Sequence, residues 1–269
     1  WIALPRLIQV LWSLAGLLLV LLIRGGSTNP DVQQKLARRI LTTLTNLGPC
    51  FIKVGQALST RPDLVRRDWL EELTRLQDDL PAFPHAAAID RIESELGASV
   101  QDLFEEFPSE PIAAASLGQV YKVRLEGSAW VAVKVQRPNL DFILRRDLVL
   151  IRLVGVVSAP LLPLNLGFGL GEIIDEFSRS LFEEIDYEQE ARNAERFSAL
   201  FTDNPAVVVP RVERMLSSKR VLTTTWIDGA KMRDSAELEA LNLDPAALIR
   251  TGVICGLQQL LEFGYFHAD

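Results

Sequence analysis

Residues 120–136, VYKVRLEGSAWVAVKVQ, constrain the fold more than any other part of this 269-residue chain. Apolar and polar residues alternate on both sides of Glu126-Gly127-Ser128, the period-two pattern of a β-hairpin. Most of the chain around it has helical spacing instead. Leu36, Ile40, Leu44 and Leu47 recur at intervals of three and four, within a helical pattern running from Asp31 to about Asp79. Gly48-Pro49 breaks that pattern, a helix follows from Phe51 to Ser59, and Arg61-Pro62-Asp63 turns the chain into another. Residues 89–96 form a short amphipathic helix ended by Gly97. Two more strands fit 207–212 and 220–226, with helices over 139–157 and 172–201 between the strand pairs. After Ile227-Asp228-Gly229 the rest reads as helical. The order is helices, a mixed lobe, then an all-helical segment, which makes the class α+β.

The first segment is set apart by its charge pattern. Residues 7–23, LIQVLWSLAGLLLVLLI, carry no charge and are bracketed by Arg6 and Arg24. That is just under the ~20 residues a spanning helix usually needs, and inside the range of about 17–25. Trp1 and Trp12 suit a membrane interface. A signal-peptide core or a buried helix has the same composition, but GGSTNP at 25–30 is a poor cleavage site and reads as a linker. Membrane association is the expectation, spanning or interfacial. LPAFP at 80–84 reads as a second linker.

Bulk properties remove other classes. At 48% hydrophobic and 23% charged, the chain has the make-up of a globular protein. A net charge of −7 gives no basis for nucleic-acid binding. Cys50 and Cys255 stand far apart, as buried thiols of a reducing compartment do, and His85 and His267 are too few for a histidine- and cysteine-rich zinc site.

Several stretches could carry chemistry. In VAVKVQ the period of two puts Val131, Val133 and Val135 on one face and Ala132, Lys134 and Gln136 on the other. A lysine on an inner sheet face is costly unless it meets an anion. The small Ala132 beside it leaves room for a flat ligand, so the pair suits a phosphate-gripping lysine with adenine over Ala132; a solvent-exposed strand lysine has the same pattern. The preceding PIAAASLGQVYKV places Ala113, Ala114, Ala115 and Ser116 where kinases carry a glycine-rich phosphate loop. Alanine resists positive φ, so this loop should be stiffer; an ordinary turn before a hairpin also fits. In FEEIDYEQEARN, an apolar stripe of Ile174, Phe177, Leu181 and Ile185 marks a packed helix, with Asp186 and Glu190 on one face and Glu184 and Glu188 on another. These acids form either a solvated face or, through Glu190, the partner of Lys134. GFGLGE at 167–172 is discarded as a dinucleotide fingerprint, because Glu172 takes its last small position and PLLPLN precedes it. In FIKVGQALSTRPD, Gly55 in a helix interior costs about 1 kcal/mol relative to alanine, so it permits a close approach. Lys53 and Gln56 flank it.

Together LGPCFIKVGQALSTRPDL, PIAAASLGQVYKVRL, VAVKVQRP, EEIDYEQEARN and GYFHAD occur in the order and spacing of the UbiB-like (AarF) atypical kinases. The resemblance runs from about residue 46 onward, and its lysine–glycine–glutamine signature is peculiar to that family. The apolar first segment and the LSTRPDL wording are most similar to the photosynthetic bacterial branch. The resemblance implies a protein-kinase-like N-lobe with a helical N-terminal extension over the cleft, and a truncated, mainly helical C-lobe. The divisions are 1–24 for the membrane-associating segment, 25–100 for the extension, 101–229 for the N-lobe and hinge, and 230–269 for the start of the C-lobe.

Carried over by position, the resemblance makes Lys134 the nucleotide lysine, Glu190 its helix partner and Lys53 the extension's lysine, reaching towards Glu184 and Asp186. Ala113 to Ser116 become the phosphate loop, Ala132 the adenine floor, Thr225 to Ile227 the hinge, and Asp269 the catalytic-loop aspartate. ATP or ADP is the implied ligand. The function implied is an ATP-dependent kinase or ATPase supporting ubiquinone or other prenylquinone synthesis at a membrane, on a cytoplasmic or plastid-type face, with membrane lipid or pathway proteins as partners. A cleft plugged by Lys53 and Gln56 argues against ordinary protein phosphorylation. The family's asparagine and Asp-Phe-Gly metal ligands for Mg²⁺ are expected beyond Asp269, no metal site being expected within the chain, and Trp1 stands where methionine would. The expectation is therefore a chain cut at both ends. A short, non-catalytic, membrane-bound pseudokinase scaffold is the alternative.

Overall fold

The computed structural model describes residues 3–63, 65–78, 80–127, 129–158, 169–230, 232 and 235–267. Helices α1 (Ala3–Arg24), α2 (Pro30–Leu47), α3 (Pro49–Ser59) and α4 (Arg67–Asp78) come first. Helices α5 (His85–Leu96) and α6 (Val100–Leu103) lead into strands β1 (Ala113–Ala114), β2 (Gly118–Arg124) and β3 (Trp130–Gln136). Helices α7 (Leu140–Ser158), α8 (Leu170–Glu184) and α9 (Tyr187–Leu200) and a 3₁₀ turn (Arg214–Leu216) precede β4 (Val221–Thr225). Helices α10 (Ser235–Ala240) and α11 (Pro245–Leu257), then a π-helical turn (Gln258–Glu262), follow. The four strands form one sheet in the order β1-β2-β3-β4, and every neighbouring pair is antiparallel. The class is α+β, as expected.

Local chemistry accounts for the boundaries. Asn29 caps α2 by accepting from the Asp31 amide at 2.9 Å, with Pro30 at the first helical position. Gly97 ends α5 in the left-handed region at φ 74°. The expected hairpin forms in register, with Tyr121 opposite Val133 and Val120 opposite Lys134.

Three expectations need correction. Residues 207–212 are not a strand: only Val212 makes a bridge, to Thr224. Pro210 has no amide to donate to a ladder, and Val208 stays 70% exposed. Ala113 and Ala114, read as part of a loop, pair with Val120 and Gln119 as a two-residue strand. The single helix over 172–201 is two helices, α8 and α9, bent at residues 185 and 186.

Two large apolar cores hold the molecule. One joins α1, α2, α3, α4, α7 and α8 through Val10, Leu47, Phe51, Leu76, Leu144 and Leu181, so the helical extension and the lobe share it. The other fills one face of the sheet, where Val131, Val133, Val135 and Tyr121 meet Ile92 of α5 and Phe104. At about 1.5–3 kcal/mol per fully buried large side chain, these two clusters dominate the stability. The opposite sheet face is left for the site except at Leu222, which a third, smaller cluster buries with Tyr187, Ala191 and Val212. α11 and the turn after it expose Ile249, Val253, Leu257, Leu260 and Leu261.

Candidate functional site

The alternation of β3 decides which residues reach the open face. Its valines point into the core, which turns Ala132 and Lys134 the other way. Register places Val120 and Leu222 beside Lys134, and Lys122 and Thr224 beside Ala132. Lys134 Nζ lies 2.8 and 2.7 Å from the two carboxylate oxygens of Glu190 and 4.6 Å from the centre of the Tyr187 ring.

Glu190 arrives there because of the bend. Asp186 is the N-cap of α9 and accepts from the Gln189 amide at 3.0 Å, while Gln189 occupies the third helical position, the spacing of a capping box. Glu190 therefore stands in the first turn, where the helix dipole favours a carboxylate. Gln136, next along the same face of β3, donates to the Ile185 carbonyl at 2.7 Å, and the Tyr187 amide donates to the Lys219 carbonyl at 3.2 Å. Both contacts hold the bend against the sheet.

Gly118 completes the arrangement. A Cβ there would stand 2.6 Å from the Val135 carbonyl oxygen and 2.8 Å from the Tyr187 hydroxyl. That hydroxyl is buried with no hydrogen-bond partner among the described residues. Burial pushes the Tyr187 phenol well above its ordinary pKa, and the Glu190 and Glu184 carboxylates push it further the same way.

The lysine–glycine–glutamine stretch on α3 works differently at each position. Lys53 forms an ion pair with Glu184, which ends α8 and would otherwise add negative charge to a helix C-terminus. Asp186, the other acid expected near Lys53, is occupied in capping α9. A Cβ on Gly55 would meet Leu76 Cδ1 at 2.4 Å and Leu44 Cδ1 at 2.8 Å, so glycine lets α3 lie close against α2 and α4. Gln56 donates to the Leu76 carbonyl at 2.7 Å, satisfying one of the open carbonyls of α4's last turn.

Ala113 to Ser116 lie at the tip of a tight hairpin. The Ala115 amide donates to the Gly118 carbonyl at 2.8 Å, and Arg137 donates to the Ala115 carbonyl at 3.1 and 3.0 Å. None of these four residues has positive φ, in keeping with alanine in place of glycine. The Thr225 amide is taken by the Arg211 carbonyl at 2.8 Å, and Ile227, 42% exposed, lies just past β4. Asp269 lies outside the described residues. The segment leading to it is held on α9, where Arg196 covers the Tyr265 ring at 4.1 Å and Phe201 meets Phe263 at 5.2 Å.

A cluster at the mouth of this face was passed over in the sequence. Lys122 Nζ lies 3.5 Å from Asp228 and 4.5 and 5.2 Å from the ring centres of Trp226 and Trp130. Its signal was the alternation itself, because Lys122 shares the phase of Val120.

Among the described residues no group of three histidines, cysteines or carboxylates is gathered to hold a metal ion. Glu184 is paired with Lys53, Asp186 caps α9 and Glu190 holds Lys134, so these residues do not fit Mg²⁺.

The family model for the ABC1 atypical kinase-like domain matches residues 75–269. The chain belongs to the ABC1 atypical kinase-like family. This confirms the resemblance to the UbiB-like and AarF kinases. An uncharacterized Synechocystis protein is 49% identical over 270 residues, covering 100% of this chain and 48% of the relative. The chloroplastic protein ACTIVITY OF BC1 COMPLEX KINASE 3 of Arabidopsis thaliana is 44% identical, covering 99% of this chain and 38% of the relative. The chain thus spans less than half the length of these relatives. A solved structure of the Rv3197–erythromycin complex from Mycobacterium tuberculosis aligns with a TM-score of 0.49 and 32% identity, over 77% of this chain and 51% of that one.

Proposed function

We propose that this chain forms the nucleotide-binding part of an ATP-dependent ABC1-type kinase or ATPase that supports prenylquinone synthesis at a membrane. The observation that carries the reading is Lys134, held by both oxygens of Glu190 on the open face of β3, one phase-step from the small Ala132. ATP or ADP fits those residues. The Lys134 ammonium supplies positive charge for the phosphates, Glu190 fixes its direction, and Val120 and Ala132 supply an apolar floor for the base.

The remaining residues shape access. The hairpin tip at Ala113 to Ser116 covers the phosphates, and Thr225 to Ile227 border the base. Lys53 and Glu184 close the side of the cleft where a peptide would enter, which favours a small or lipid-derived acceptor over a protein chain. Asp269 is the candidate for orienting the acceptor hydroxyl. The prenylquinone context and the membrane location are supported by the family resemblance, by relatives named as chloroplastic, and by an α1 long and apolar enough to cross a bilayer.

Thermal shift with ATP and ADP tests the nucleotide site. A rise in melting temperature that Lys134→Ala abolishes is the expected result. A folded chain whose melting temperature does not respond to either nucleotide would sink the reading and favour a scaffold.

A further inference from the structure

Helix α1 has two apolar faces with different environments. Leu7, Val10, Leu14 and Leu17, spaced by three and four, face the protein; Val10 is fully buried and Leu17 nearly so. Leu4, Ile8, Leu11, Trp12, Leu19 and Leu22 are exposed on the other side, Trp12 at 82%. A continuous exposed apolar face of this kind marks a contact with a membrane or another protein.

The docked face restricts how α1 can meet a membrane. Arg6, one turn before Val10, is bonded to Asp147 of α7 at 3.1 and 2.6 Å and also donates to the Leu47 carbonyl. Asp147 is completely buried. To cross a bilayer, α1 would have to abandon Asp147 and the packing of Val10 and Leu17. Its neighbour α2 could not follow, because it carries Lys35, Arg38 and Arg39. A helix lying in the membrane plane keeps both faces satisfied.

Charge identifies the surface it meets. At the C-terminal end of α1, a cavity of about 540 Å³ opens towards α2, lined by Val20, Arg24, Lys35, Arg38 and Arg39. Among the described residues, only Arg38 of these four cations has an acidic partner within ion-pair distance, Glu72 at 3.6 Å. The chain as a whole carries −7. Cations gathered beside an apolar face on an otherwise acidic molecule complement anionic headgroups above acyl chains.

We propose that α1 docks in the plane of an anionic lipid bilayer, its outer face among the acyl chains and Arg24, Lys35, Arg38 and Arg39 at the headgroups, and that it does not span. This rests on the membrane association proposed above and is independent of the nucleotide site.

The test uses the full chain with two kinds of vesicle, phosphatidylcholine alone and phosphatidylcholine with phosphatidylglycerol. Flotation is expected to show at least about tenfold tighter binding to the anionic vesicles, given ~1 kcal/mol per cation near such a surface. Lys35→Glu with Arg39→Glu should remove that preference without moving the melting temperature, since both side chains are exposed. Trp12 then reports depth, because it lies near the middle of α1. Lipids brominated near the glycerol end should quench the wild-type fluorescence more than lipids brominated near the chain terminus, and Trp12→Phe should lose that difference. Stronger quenching by the deep bromines means a spanning helix and overturns the proposal. Binding indifferent to the charge reversal overturns it, as does failure to float with the outer face buried in a dimer. Lys134→Ala should leave flotation unchanged, so failure of the nucleotide reading and failure of this one are separable.

Discussion

Lys134 and Glu190 are joined through both carboxylate oxygens, at 2.8 and 2.7 Å, across 56 residues and two helices. The ion pair is a third or more exposed on each side, 34% and 40%, so it contributes only about 0–1 kcal/mol to stability. Its geometry matters more to ligand binding than to folding. Lys134→Ala is expected to abolish the nucleotide-dependent rise in melting temperature while changing the ligand-free value little. Glu190→Gln keeps a hydrogen bond to Lys134 but loses the charge, and should weaken nucleotide binding without abolishing it. Isothermal titration of the three proteins checks the order wild type, Glu190→Gln, Lys134→Ala.

The Tyr187 hydroxyl is buried without a hydrogen-bond partner among the described residues, a state that costs about 1–3 kcal/mol. Tyr187→Phe removes the cost and keeps the ring under Lys134, so urea denaturation should show a gain of about 1 kcal/mol. Gly118→Ala acts at the same place in the opposite direction. Its Cβ would press on the Val135 carbonyl oxygen, part of the β3 backbone, which cannot rotate away. A loss of about 3 kcal/mol is expected, at the top of the usual overpacking range. Combining the two substitutions should recover only part of it, because the Val135 contact remains. Full recovery would mean that the tyrosine hydroxyl, and not the strand, sets the limit.

Gly55→Ala tests the fit between α3 and its neighbours. Alanine gains about 1 kcal/mol of helix propensity. Against this, the new methyl group collides with Leu76 and Leu44, both buried in the shared core. Overpacking typically costs about 1–3 kcal/mol, so the net result should be a loss of about 1 kcal/mol in urea denaturation. The obstructing atoms are leucine side-chain ends, so Gly55→Ala should cost less than Gly118→Ala, where backbone stands in the way. A more stable Gly55→Ala chain would show that α3 has room to move.

What could be read from the sequence follows from how local each signal is. The hairpin at 120–136 and the phase of Lys134 need only period two, and both appear in register. The two halves of the Glu190 helix were read as one because the apolar stripe runs unbroken to Ile185. The Asp186 and Gln189 capping spacing was present in EEIDYEQE and marks the break. Gly55 was legible as a close approach, but not what approaches it. Leu44 and Leu76 lie on other helices, and no local pattern pairs them with α3. The same holds for Lys122 between Trp130 and Trp226, which only the β2–β3 register and the end of β4 bring together.

Glu95 should govern part of the acid sensitivity. It ends α5 and accepts from Arg220 and Ser218, each at 2.8 Å, tying that helix to the start of β4. Burial raises its pKa, but the hydrogen bonds from Arg220 and Ser218 and the charges of Arg220 and Arg91 outweigh it and hold the carboxyl below the ordinary glutamate value. A carboxylate with a depressed folded pKa adds stability above its unfolded value, about 4.3, and loses it as pH falls through the folded value. Urea denaturation across pH 7 to 3 should therefore show a steeper decline for wild type than for Glu95→Gln below about pH 4.3. At pH 7 the substitution should cost about 1 kcal/mol, the worth of a partly exposed charge-assisted contact. Parallel curves for the two proteins over the acid range would show that Glu95 is already as easily protonated folded as unfolded, and that α5 is tied to β4 by the core shared by Ile92 and Val221 instead.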